Sequence, residues 1–216
     1  MMRISTYLRA IAGQAPEPRA AKPGSTRAPV VIWNTLRRCN LTCKHCYSTS
    51  ADIDFKGELD TAEALDVIDQ LNEAGVKVLV LSGGEPLMRP DIFQLAKYAR
   101  DYGFYVALST NGTLINDSNI EEIADCDFDY VGISIDGLPD IHDEFRRMQG
   151  GFAAAMNGVR LCREKSLKVG LRTTLTQYNY PQLPALLDLM REYDVQKYYL
   201  SHLNYSGRGK RNQSVD

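Results

Sequence analysis

Short runs of β-branched, aliphatic and aromatic residues recur along the chain at 30–34, 76–81, 105–109, 130–135, 168–174 and 198–203, and each predicts a buried strand. Between them, apolar residues fall at helical spacing. Ala62, Leu65, Ile68 and Leu71 form one stripe, and Ile92, Leu95, Ala96 and Ala99 a second. Phe152, Met156, Val159 and Leu161 form a third, and Leu183, Leu186, Leu187 and Met190 a fourth. A shorter helix runs through Ile120 and Ile123. Asp60 or Thr61 is placed to cap the first helix, Glu63 complements its N-terminus and Gly75 ends it.

Strand and helix alternating in this way predict parallel βα units joined by right-handed crossovers. Six units fall short of the eight that close a barrel, so the expected fold is α/β, an open partial (β/α)6 barrel. Its open side leaves room for a substrate, and the loops leaving the C-terminal strand ends are where chemistry-bearing residues belong. A proline-rich lead at 16–29 marks residues 1–28 as a tail, followed by one domain over 29–205 and a short basic tail over 206–216.

Composition narrows this reading. A chain of 216 residues that is 44% hydrophobic and 24% charged can bury a substantial core and does not read as disordered. The formal net charge of −2 offers no broad basic surface for nucleic acid, and the basic run Gly207-Arg208-Gly209-Lys210-Arg211 is short enough to be solvated. No membrane span is expected. Arg9 and Gln14 interrupt the apolar residues of the N-terminal segment, so no secretory signal is read and a cytoplasmic location is expected. Five cysteines are then reduced thiols, with Cys126 and Cys162 in apolar contexts that suit the core.

The other three stand together in Arg38-Cys39-Asn40-Leu41-Thr42-Cys43-Lys44-His45-Cys46-Tyr47, just beyond the first strand. By spacing, Cys39, Cys43 and Cys46 suit an iron–sulfur cluster with one iron left open. A zinc site with His45 as fourth ligand, or plain buried thiols, are the alternatives. Arg37, Arg38 and Lys44 are near enough to offset a cluster's negative charge. After the second strand comes Ser82-Gly83-Gly84-Glu85-Pro86, where glycines permit close backbone approach to a ligand and an acid suits an ammonium; a tight turn explains it as well. Ser109-Thr110-Asn111-Gly112 and Ser134-Ile135-Asp136-Gly137 follow the third and fourth strands.

The cysteine loop followed one unit later by the glycine-acid turn resembles the radical S-adenosylmethionine superfamily. That resemblance implies a 4Fe–4S cluster on Cys39, Cys43 and Cys46, whose open iron chelates the amino and carboxylate groups of S-adenosylmethionine. It implies that Gly83, Gly84 and Glu85 contact the methionyl amine, and that Ser109, Asn111 and Ser134 approach the ribose or methionine, with Asp136 close by. Arg146, twelve residues beyond Ser134, is then a bidentate partner for the methionine carboxylate, and Leu175 packs on the adenine. The implied reaction is reductive cleavage of S-adenosylmethionine to a 5'-deoxyadenosyl radical, with flavodoxin or ferredoxin as electron donor.

Within the superfamily, the cysteine run, the segment SIDGLPDIHDEFR and the turn STNG are similar to the branch that carries SPASM or twitch extensions. The nearest resemblance there is to members that act on propionate side chains of a sirohaem-derived tetrapyrrole in haem d1 biosynthesis. Members of that branch continue past the sixth strand with cysteines for auxiliary clusters. No cysteine follows Cys162, so the auxiliary-cluster domain is expected to be absent and the chain truncated after its core domain. The rival readings are a radical enzyme acting on a peptide or protein, and a zinc-stabilised binding module without turnover.

Overall fold

The computed structural model describes residues 2–3, 11, 13 and 29–210; most of the expected N-terminal tail and residues 211–216 lie outside them. In chain order the elements are β1 (Met2–Arg3), β2 (Val30–Asn34), α1 (Thr61–Glu73), β3 (Val78–Ser82), α2 (Ile92–Asp101), β4 (Tyr105–Thr110) and α3 (Ile120–Asp125). There follow β5 (Tyr130–Ser134), α4 (Pro139–Arg146), α5 (Gly151–Glu164), β6 (Val169–Leu175), α6 (Leu183–Glu192) and β7 (Lys197–His202). The strands β2 to β7 pair in parallel in sequence order, and β1 adds an antiparallel strand outside β7. Because β2 and β7 do not pair, the sheet stays open.

Parallel register puts paired residues on the same face. Leu79, Leu81, Leu108, Ile133, Leu171 and Tyr198 are fully buried on the outward face, against Ile68, Leu95, Val159 and Leu186 of the helices. Each such burial stabilises by about 1.5–3 kcal/mol before chain entropy is counted. The alternating positions face the lumen, where Val30 and Ile32 of the edge strand β2 remain 61% and 60% exposed. Cys126 and Cys162 are core thiols as expected, and burial pushes Cys162 up to about 12.

Three local features differ from the sequence expectation. Helix α4 was not expected; its signal was Pro139 at the first turn. Strand β3 starts at Val78 because Val76 belongs to the end of α1. There Gly75 has φ +74°, its N–H donates to Asn72 O at 2.9 Å and the Val76 N–H donates to Leu71 O at 3.0 Å, a Schellman stop. Of the basic run expected to be solvated, Gly207, Arg208 and Gly209 instead pack beneath the cysteine loop, while Lys210 is exposed and Arg211 lies outside the described residues.

The start of α1 follows the expected chemistry. Asp60 Oδ1 accepts from the Glu63 N–H at 2.9 Å, and the Asp60 N–H donates to Glu63 Oε2 at 3.0 Å. Asp60→Ala is expected to cost about 1 kcal/mol, read as a melting temperature lowered by about 2–4 °C. Among the described residues no helix is long and apolar enough to cross a membrane.

Candidate active site

A cavity of about 360 Å³ opens at the C-terminal strand ends, lined by Cys39, Cys43 and Cys46 on one side and by Ser109, Ser134 and Arg172 on the other. The cysteine loop is tied down along its length. Its ties are Cys39 N–H to Ala51 O at 3.1 Å, Lys44 N–H to Phe145 O at 2.8 Å and Arg208 N–H to Cys46 O at 2.9 Å. Arg208 also donates from Nε to Cys43 O at 2.8 Å and from Nη1 to Ser50 O at 2.7 Å. Gly207 lies so close beneath the loop that a Cβ there would sit 2.4 Å from Tyr47 O.

Burial pushes the Cys39 thiol up to about 12 and raises Cys43, although Arg146 opposes the rise at Cys43 from Nη1, 3.8 Å from Sγ. A strongly positive centre such as iron would lower them again. The donor set fits a cluster: three cysteines share one cavity, with a guanidinium beside one of them to balance its negative charge. In the zinc alternative the fourth ligand would be His45, which lines the cavity with Nε2 3.3 Å from Asp136 Oδ2, its ring stacked on Phe145 and its Nδ1 without a hydrogen-bond partner among the described residues. Among the described residues, no group of three His, Cys, Asp or Glu side chains is gathered for a single metal ion.

Gly83 and Gly84 line the cavity where the loops after β2 and β3 abut. The Gly84 N–H donates to Leu36 O at 2.8 Å, and a Cβ at Gly84 would lie 2.1 Å from Arg38 O and 2.5 Å from Arg37 O. Gly84→Ala must therefore push two backbone segments apart. It is expected to destabilise by about 1–3 kcal/mol and to weaken S-adenosylmethionine binding, measured by urea unfolding and by calorimetric titration of the reconstituted protein.

Glu85 does not line the cavity. It is fully buried beneath it, where Oε1 accepts from Thr110 Oγ1 at 2.6 Å and the Leu87 N–H at 3.2 Å, and Oε2 accepts from the Asn111 N–H at 2.7 Å. Burial raises this carboxyl to about 6, and the donors keep it from rising further. Its hydrogen bonds lock the β3 turn to the β4 turn and so position Asn111, which lines the cavity and donates from Nδ2 to Asn40 Oδ1 at 2.9 Å.

Ser109 and Ser134 line the cavity; Asp136 lies under it, fully buried. Asp136 Oδ2 faces Arg146 Nη2 at 2.6 Å and His45 Nε2 at 3.3 Å, while Oδ1 accepts from the Thr174 N–H at 2.9 Å. Burial, the largest single influence, would raise Asp136, but Arg146, His45, His142 and the Thr174 N–H together outweigh it and hold the carboxyl down at about 2. Burial lowers His45 and His142 to about 4, leaving neutral imidazoles around an Asp136–Arg146 ion pair. Arg146 thus lines the cavity with its charge already shared with Asp136. Leu175 is half-buried and does not line the cavity, whereas Thr173 and Thr174 do. The sequence reading missed the roles of His45, Thr110, Arg172 and Arg208, whose partners lie far away along the chain.

Three thiols on a loop after the first parallel strand and a glycine turn after the second, on an open six-stranded barrel, define a class. The chain belongs to the radical SAM superfamily, whose family model matches residues 33–201, and the family's cofactors are a 4Fe–4S cluster and S-adenosylmethionine. Its sequence is 50% identical over 216 residues to the pre-heme d1 synthase of Dinoroseobacter shibae, covering 100% of this chain and 53% of that protein. The Fe-coproporphyrin III synthase of Methanosarcina barkeri is 44% identical over 190 residues, covering 88% of this chain and 48% of its own. The chain thus spans about half the length of the curated relatives it matches. Among solved structures, Streptococcus suis SuiB bound to S-adenosylmethionine aligns with a TM-score of 0.71 at 20% identity, over 81% of this chain and 40% of that one. The open partial-barrel expectation is borne out.

Proposed function

We propose that this chain is the catalytic core of a radical enzyme acting on propionate side chains of a sirohaem-derived tetrapyrrole. The observation that carries the chemistry is the convergence of Cys39, Cys43 and Cys46 with the Gly83-Gly84 backbone on one cavity. The tetrapyrrole follows from the 50% identity to a pre-heme d1 synthase across the whole chain. Cys39, Cys43 and Cys46 would hold the cluster, which would supply the electron for reductive cleavage of S-adenosylmethionine.

The protein's own residues hold and aim the reactants. Gly83 and Gly84 let a ligand approach the backbone, Arg146 presents positive charge beside Cys43, and Ser109, Asn111 and Ser134 offer polar contacts along the rim. The outward core seals the other face of the sheet, which limits entry of water and stray hydrogen donors to the open side. Incubation of the anaerobically reconstituted protein with S-adenosylmethionine, a reductant and didecarboxysirohaem is expected to give 5'-deoxyadenosine together with loss of propionate carbons. Release of 5'-deoxyadenosine with an unaltered porphyrin would refute the substrate and leave the chemistry.

A further inference from the structure

We infer that Arg172 holds a carboxylate of the substrate, on the cationic wall of a lumen whose opposite wall is apolar. The inference rests on the tetrapyrrole reading above. In the sheet, Arg172 stands in register with Ser134 on one side and Tyr199 on the other, which puts it on the same face as the cavity. Room for its side chain comes from Gly132, and the paired Gly170 makes room for the Tyr130 ring. A Cβ at Gly132 would sit 2.9 Å from Arg172 Cδ, and one at Gly170 would sit 2.6 Å from the Tyr130 ring.

Across that gap Arg172 Nη1 donates to Ser109 Oγ, while its Nε is buried without a hydrogen-bond partner among the described residues. A neutral hydroxyl is a weak match for a guanidinium, whose parallel N–H groups suit a carboxylate's two oxygens. A second cation stands on the same face at the start of β7, outside the cavity: Lys197 Nζ is 4.6 Å from the Tyr130 ring centroid and 3.2 Å from Tyr105 Oη. On the lumen-facing positions of β2 to β7 there is no Asp or Glu.

Facing these cations at the other edge of the sheet, Val30 and Ile32 present apolar surface. A flat apolar macrocycle edged with carboxylates satisfies both walls together, whereas an acidic peptide satisfies only the cationic one. Ser109 and Arg172 both line the cavity that the cysteines share, and Ser109 accepts from Arg172.

The test titrates the full chain, with its cluster reconstituted, against coproporphyrin III and against its fully esterified form, following the Soret band. Wild type is expected to bind the free acid, and Arg172→Gln to weaken that binding about tenfold while leaving the ester unaffected. Arg172→Lys, which keeps the charge and loses the fork, is expected to fall between and guards against a fold lost in the first variant. Equal loss for acid and ester, or loss for neither, overturns the assignment to Arg172 and leaves the tetrapyrrole reading standing. Wild type that binds neither porphyrin, or takes up an acidic peptide instead, overturns the functional reading and this inference with it.

Discussion

Cys43→Ala is expected to abolish both iron retention and cleavage of S-adenosylmethionine. Wild type reconstituted under argon should carry about four irons per chain, and the variant close to none. The reason is arithmetic within the loop: Cys39, Cys43 and Cys46 are the thiols that line the cavity, and Cys126 and Cys162 lie in the core. Two thiolates cannot seat three irons of a cube, and the Nη1 of Arg146 loses the sulfur it faces. Iron and sulfide analysis, with chromatography of 5'-deoxyadenosine, reads the outcome. A brown variant that still cleaved S-adenosylmethionine would overturn the ligand assignment.

The second large effect is on stability. Asp136→Asn removes the negative charge facing Arg146 at 2.6 Å and leaves a guanidinium whose side chain is 11% exposed without its counter-ion. Breaking one partner of a buried pair in this way costs about 3–5 kcal/mol, a large share of the roughly 5–15 kcal/mol that holds a domain folded. Urea unfolding of the apo protein, with unchanged slope, should show it. A loss below about 1 kcal/mol would mean that Arg146 is neutralised by something other than Asp136, and the account of the pair would fail.

What was legible in the sequence was whatever repeats locally. The six parallel strands and the helices α1, α2, α5 and α6 follow from apolar spacing, and the cap at Asp60 from a short-range pattern. Helix α4 was hidden because PDIHDEFR buries polar side chains, His142, Asp143 and Arg146, along with Phe145, so its inward face does not read as apolar. The site was legible in its residue types and less so in its geometry. Glu85 reads from sequence as a group for a ligand ammonium, but hydrogen bonds from Thr110, the Asn111 N–H and the Leu87 N–H hold it beneath the cavity. The partners of His45, Asp136 and Arg172 are brought together by the barrel across tens of residues, and local spacing holds no record of that.

The clamp on the cysteine loop has a consequence in time. Arg208 binds the carbonyl of Cys43 across 165 positions of chain. At about 5–20 residues per second, a ribosome needs roughly ten to thirty seconds to travel that far. For that interval the nascent loop has its thiols but not its staple, and only then does the turn that carries Arg208 arrive to close beneath it. Order of synthesis thus leaves the carbonyls of Cys43 and Ser50 without their guanidinium partner until residue 208 has been made.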